Sequence, residues 1–352
     1  MHVRSDGRPG VGRESRSSYA NPFHLPLLVA FPLMIIACLL APSCQQKIKP
    51  SVEKVTIAVT LMPHSAPIFI ANKKGYFAEE GLEVTLHPTM YGKIALEVLL
   101  AGDADFAGSA ETPVMFASLK GGSFLVVAEV MNTDKDVGIF ALRNRGVRSP
   151  DDLKGKKIGF PSGTSAHFFL DVFLAVHGIS RGSVNTVQLK PDEMGSALRA
   201  GNVDAVAIFE PYIAAFKKEF GANATTFYET TAYLESWVMT ARKKLVAERP
   251  EAVKKFLRSL LKAEAFIRGN PAETLDIVAQ NIGKDRGDLE GFIKAFEFRV
   301  ELDQSLMITL ENQARWAIKS KLTDRTEVPN FLEYIYLDGL KAVKSDAVTI
   351  HR

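Results

Sequence analysis

The sequence predicts an α/β protein of two related domains, each a mostly parallel sheet covered by helices. Three observations carry that expectation. Strand and helix patterns alternate from residue 54 to residue 130 in a βαβαβαβ order, the signature of parallel pairing through helical crossovers. An internal echo matches Ala101-Gly102-Asp103-Ala104-Asp105 with Ala200-Gly201-Asn202-Val203-Asp204, at an offset of 99 residues. Its continuation pairs Glu111 with Glu210, each just after a short strand and at the start of a helix. Beyond Pro250 only helical patterns follow, with Pro250, Pro271 and Pro329 at starts where proline is tolerated.

The elements follow in order. Val55, Ile57, Val59 and Leu61 alternate with Thr56, Ala58 and Thr60, a strand over 54–61. Met62 to Pro67 breaks it, and a helix runs to Lys74, closed by Gly75. Strands are expected at 82–86, 103–108 and 124–130, with helices at 93–101 and 110–120. A second unit of the same plan follows. It has strands at 137–143, 155–160, 184–189, 203–208, 225–228 and 236–242, and helices from 165, 192 and 212. The helical region divides into 251–268, 271–281, 287–298, 306–320 and 328–344.

Composition narrows the function. The net charge of +3 and the lack of an arginine-rich run give nucleic-acid binding little support. The two cysteines, Cys38 and Cys44, precede the body of the chain, which leaves it no thiol nucleophile, disulfide or cysteine metal site. Residues 1–44 read as an export signal. A basic start (Arg4, Arg8, Arg13, Arg16) leads into an apolar stretch from Leu25 to Leu40 that is short for a membrane span. Small residues and Cys44 follow, then a polar linker over 45–53.

The candidate site centres on Gly155 to Leu170, a strand, a glycine turn and a helix. Ser162, Thr164 and Ser165 sit at the helix entry, where free N–H groups and the helix dipole favour an anionic or polar ligand. In α/β sheets, ligands bind outside the carboxyl ends of strands. Met62 to Ala66, Gly108 to Glu111, Met131, Gly163 to His167 and Phe209-Glu210 fall at such ends in both domains, so they can line one cleft. His64 and His167 also suit a role as buried polar fillers. Glu111 and Glu210 also suit a purely local role at the helix dipole.

Several phrases resemble the solute-binding proteins of bacterial ABC importers, the nitrate/sulfonate/taurine group. They are Pro67-Ile68-Phe69-Ile70-Ala71-Asn72-Lys73-Lys74-Gly75-Tyr76-Phe77, Leu99 to Phe106, Ser149 to Gly159, Gly163-Thr164-Ser165 and Ala205 to Pro211. The resemblance implies the type II periplasmic-binding fold, with two crossover strands as a hinge, at Gly138–Leu142 and Trp237–Ala241, and a ligand cleft between domains. Domain I would then comprise 54–138 and 242–352, and domain II 139–241. It implies ligand contacts from Pro63, His64 and Ser65, from Gly108, Ser109 and Ala110, and from Gly163, Thr164 and Ser165. Ala166, Glu111, Met131 and Glu210 are candidates beside them. Cys44 resembles a lipid-attachment cysteine, with Cys38 as a competitor; Ala41-Pro42-Ser43 before Cys44 departs from that pattern.

The expected function is capture of a small anionic or zwitterionic solute, of the sulfonate, taurine or nitrate type, without cofactor or metal. The partners would be a membrane permease and its ATPase subunit. The protein would be exported, monomeric and lipid-anchored at the outer face of the membrane or in the periplasm. The alternative is a heterocyclic solute such as a thiamine-precursor pyrimidine, which would suit Glu111 and Glu210. An enzyme on the same fold is the weaker reading. The chain has no Gly-x-Ser-x-Gly turn, no His-Glu-x-x-His motif and no phosphate loop at Gly155-Lys156.

Overall fold

The computed structural model describes residues 52–351; the expected export signal, with Cys38 and Cys44, lies outside the described residues. The strands are β1 (Glu53–Thr60), β2 (Leu82–Thr89), β3 (Phe106–Ala110), β4 (Phe124–Thr133), β5 (Val137–Leu142), β6 (Lys157–Phe160), β7 (Asn185–Gln188), β8 (Ala205–Phe209), β9 (Ala224–Phe227) and β10 (Glu235–Arg242). The helices are α1 (Ala66–Lys73), α2 (Tyr76–Glu79), α3 (Gly92–Ala101), α4 (Glu111–Leu119), α5 (Ser165–Val176), α6 (Met194–Ala200) and α7 (Tyr212–Phe220). They continue with α8 (Lys243–Glu248), α9 (Pro250–Gly269), α10 (Pro271–Ile282), α11 (Arg286–Ile293), α12 (Gln304–Lys319) and α13 (Leu337–Val343).

Two five-stranded sheets form, in the orders β2-β1-β3-β10-β4 and β7-β6-β8-β5-β9. Each is parallel except for one strand. β10 runs antiparallel to β3 and β4, and β5 runs antiparallel to β8 and β9. The reversed strands are the ones reached by crossing from the other sheet, so no βαβ unit sets their direction. β10 belongs to the first sheet, and the chain therefore returns to it between Phe227 and Glu235, ahead of the expected boundary at 241/242.

Two apolar cores follow the two sheets. In the first lobe, Phe106 of β3 stacks on Phe256 of α9 at 4.0 Å. α9 buries Val253, Phe256, Leu257 and Leu260, the i, i+3, i+4, i+7 stripe of an amphipathic helix. In the second lobe, Phe140, Phe169 and Phe173 are fully buried around β5 and α5. The echo has a local cause: Gly102 and Gly201 close α3 and α6 in the left-handed conformation, at φ 93° and 74°.

The expected helices at 287–298 and 328–344 are each cut short. After α11 the chain turns extended and pairs with the free edge of β4, through Asn132 with Glu297 and Glu129 with Glu301. Likewise, Ile335 bridges to Val126 and the Tyr336 N–H donates to the Val126 carbonyl at 2.8 Å, leaving α13 only Leu337–Val343. An open strand edge needs backbone partners, and that need overrides the local helical pattern.

This edge carries a pH liability. Glu129 is 3% exposed. Burial, and then the nearby Glu301 carboxylate, push its carboxyl from 4.5 up to about 8. Between those values the folded chain keeps a proton that the unfolded chain has released, so stability falls as pH rises through that window. Below it both states hold the proton and the effect vanishes. We expect Glu129→Gln to be more stable than the wild type at pH 8, by a few kcal/mol at about 1.4 kcal/mol per unit, and nearly equal to it at pH 4.5. Urea unfolding at the two pH values checks this; an equal difference at both would contradict it.

Candidate functional site

The loops after β1, β3, β6 and β8 gather at the carboxyl ends of their strands and enclose a cleft between the lobes. Its lining from the first lobe is Met62, His64, Tyr91, Gly92, Lys93, Ala110, Pro113, Glu235 and Trp237. From the second come Thr164, Ser165 and Phe209, with Asp136 from the crossing before β5. The empty space, its open mouth included, is about 290 Å³, of which about 20 Å³ admits the centre of a water-sized sphere, room for about one water between the lobes as they stand.

One end is rich in donors. Thr164 caps α5, but its hydroxyl donates to the Pro161 carbonyl at 2.7 Å, and no cap side chain takes the first-turn N–H groups. The His167 N–H donates to the Thr164 carbonyl at 3.0 Å, which leaves the Ser165 and Ala166 N–H groups without an acceptor in the helix, at the positive end of its dipole. Lys93 of α3 reaches across the cleft to donate to the Ser162 carbonyl at 3.1 Å.

The other end is acidic and dry. His64 Nε2 lies 3.1 Å from Asp136 Oδ1 and 4.0 Å from Glu235 Oε2, and all three side chains are 1–2% exposed. Burial lowers the His64 imidazole from 6.5 to about 4 against the pull of Glu235 and Glu210. Burial raises the Asp136 carboxyl from 3.8 to about 8, and burial and then Asp136 hold the Glu235 carboxyl well above its ordinary value. Trp237 packs on the imidazole with ring centroids 4.5 Å apart, and Phe296 lies at 4.9 Å. The indole has room because Gly92 and Gly108 face it; a Cβ at either would approach it to 2.7 or 2.8 Å.

Of the residues expected at the site, Met62, His64, Ala110, Thr164, Ser165 and Phe209 line this cleft. The others are close by and occupied otherwise. Pro63 and Ser65 are buried in the turn after β1, where the Ser65 and Thr60 hydroxyls bond at 2.8 Å. Gly108 and Ser109 lie inside β3, which runs two residues further than expected. Met131 is a core residue of β4, opposite Trp237. Gly163, at φ 74°, lines a separate groove with Ser162 and His167. Ala166 packs in the second core. His167 is a polar filler beside Phe160 and Trp316, and its Nδ1 accepts from the Gly163 N–H at 3.3 Å. Glu210 accepts from the Ala214 N–H at 2.9 Å and lines a different groove with Lys135 and Tyr228.

Glu111 is fully buried and saturated. It accepts from the Tyr233 hydroxyl at 2.6 Å, the Gln313 amide at 2.7 Å and the Ser236 N–H at 3.0 Å. It ties the returning crossover to α12, and is absent from the cleft lining. The echo correctly marked Glu111 and Glu210 as equivalent in position, yet neither lines the cleft. Tyr91, Lys93, Asp136, Glu235 and Trp237 were not among the expected site residues. A signal existed for two of them, since Asp136 and Glu235 directly precede the expected crossover strands. We expect Glu111→Ala to strand four buried donors, the Thr112 hydroxyl at 3.2 Å among them, and cost about 3–5 kcal/mol in denaturant unfolding. A loss under 1 kcal/mol would contradict the network.

The NMT1/THI5-like family model matches residues 62–274 of this chain. A Brucella abortus relative, named for binding alone, is 30% identical over 227 residues, 63% of this chain and 69% of the relative. A Bacillus subtilis relative, whose name ascribes it aliphatic sulfonate binding, is 28% identical over 274 residues, 76% of this chain and 82% of the relative. The fold is shared with the alkanesulfonate-binding protein SsuA of Xanthomonas axonopodis pv. citri bound to MOPS. That likeness has a TM-score of 0.72 at 21% identity and covers 81% of this chain and 99% of the other. The chain belongs to the NMT1/THI5-like family and has the periplasmic-binding-protein fold.

Proposed function

We propose that this chain is the solute-binding component of a bacterial ABC importer and that it captures a small sulfonate-type anion or zwitterion in the cleft. The observation that carries this reading is the pairing of Lys93 with the uncapped first turn of α5 at one end of a small cleft with apolar walls. An anionic head fits that end. Met62, Tyr91, Pro113, Phe209 and Trp237 fit a short organic body. The relatives' names favour sulfonates among such anions, and MOPS, bound to the structural neighbour, itself joins a sulfonate to an amine. Lobe closure on the solute would then present it to a permease and its ATPase subunit.

Export and anchoring belong to the same proposal. No helix among the described residues is long and apolar enough to cross a membrane, so membrane attachment would come from a lipid on Cys44. Cys44→Ala should release the protein from the membrane fraction; release by Cys38→Ala instead would move the anchor.

A thermal-shift screen with taurine, alkanesulfonates, nitrate and a thiamine-precursor pyrimidine tests the solute. A sulfonate should raise the midpoint by mass action. A response to the pyrimidine alone would favour the heterocyclic reading. For the best sulfonate, calorimetry should show Lys93→Met binding at least tenfold more weakly, the worth of about 1.5–3 kcal/mol for a charged hydrogen bond. Unchanged affinity would remove Lys93 from the site.

A further inference from the structure

We infer that His64, Asp136 and Glu235 form a binding site for one divalent first-row transition-metal ion at the closed end of the cleft. The three side chains come from three separated segments: the turn after β1, the crossing before β5 and the first residue of β10. One donor atom from each lies within 4.8 Å of the others. None is a solvated surface acid, since each is 1–2% exposed.

Apart from the hydrogen bond that the Asp136 and Glu235 carboxyls share, the donor atoms lack other uses: His64 Nδ1 and Nε2, Asp136 Oδ1 and Oδ2, and Glu235 Oε2 have no hydrogen-bond partner outside the cluster. The 3.1 Å approach of His64 to Asp136 is not aligned as a hydrogen bond. Buried polar atoms are normally satisfied, and a single ion between the three residues takes the His64 Nε2 and the carboxylate oxygens that face it.

The geometry and the donor set agree. Metal bonds of about 2.0–2.2 Å to nitrogen and oxygen place neighbouring donors roughly 3–4 Å apart, close to the 3.1 and 4.0 Å found here. Two carboxylates balance a divalent charge. The imidazole beside them selects against magnesium and calcium and suits zinc, iron or manganese. Trp237 and Phe296 pack on the imidazole and hold its plane. Three protein donors leave coordination positions open, and the same three residues line the cleft. The open side therefore faces the solute. The inference does not depend on which solute is captured.

The test uses the purified chain, stripped with a chelator and then dialysed against zinc or manganese. Elemental analysis should find one ion per chain, and the ion should raise the unfolding midpoint. His64→Ala and Asp136→Asn should each weaken binding at least tenfold. Glu129→Gln, a buried carboxylate outside the cluster, should keep wild-type affinity. Cobalt(II) bound to the wild type should give visible bands of low-coordinate nitrogen and oxygen ligation, a readout that needs no variant to fold. Wild type with no stoichiometric ion, variants that bind as tightly as wild type, or a cobalt spectrum like that of the hydrated ion would each overturn the site. A midpoint raised by alkylammonium ions but not by metal would reassign the cluster to an organic cation.

Discussion

The chain passes between its two sheets at two places, and the arrangement depends on how it buries charge there. Asp136 stands at one crossing and Glu235 at the other, and both carboxyls meet His64 in a dry floor. Their positions follow from sheet register. Trp237 pairs with Ala110 and Met131 in the first sheet, and Val137 pairs with Phe209 in the second. A slip of one residue in either strand would turn these side chains to the opposite face. The Glu210 N–H donates to the Asp136 carbonyl at 3.1 Å, so the second lobe also holds the crossing from below. Strand register thus places the crossings, and the loops at the strand ends complete the cleft.

Polar groups divide the tasks between frame and cleft. Glu111 has its acceptors filled by Tyr233, Gln313 and Ser236 and acts as a frame residue. The cluster around His64 is left with unpartnered atoms facing the cleft. Outside the cleft, Trp316 meets His167 and Phe168 edge-on, with ring centroids 5.0 and 5.1 Å apart. The Trp316 indole donates to Asp171 at 2.9 Å, and Lys218 pairs with Asp288 at 3.0 Å. The exposed Lys218–Asp288 pair contributes little, whereas the Trp316–Asp171 bond is partly buried.

The sequence shows the lobes clearly because periodicity, glycine closures and the echo are local properties. The helix entry at Thr164-Ser165 was legible for the same reason. The second, acidic wall was not. Asp136, Glu235 and His64 are far apart in the chain and converge only through the crossed topology, which no local pattern encodes. Glu111 misled for a physical reason: a carboxylate at a helix start looks alike whether it faces a cleft or four buried donors. The truncated helices near 294–302 and 328–336 were hidden because the demand came from the open edge of β4, not from their own residues.

The central claim is that a small anionic solute lies between Lys93 and the start of α5, against Trp237. The chain has two tryptophans. Trp237 lines the cleft and Trp316 bonds to Asp171 across the lobes, so tryptophan emission reports both occupancy and closure. The direct measurement is an emission titration of the wild-type protein with an alkanesulfonate. The account predicts a saturable change with one site per chain. Binding by calorimetry with no change in emission would place the solute elsewhere and contradict it.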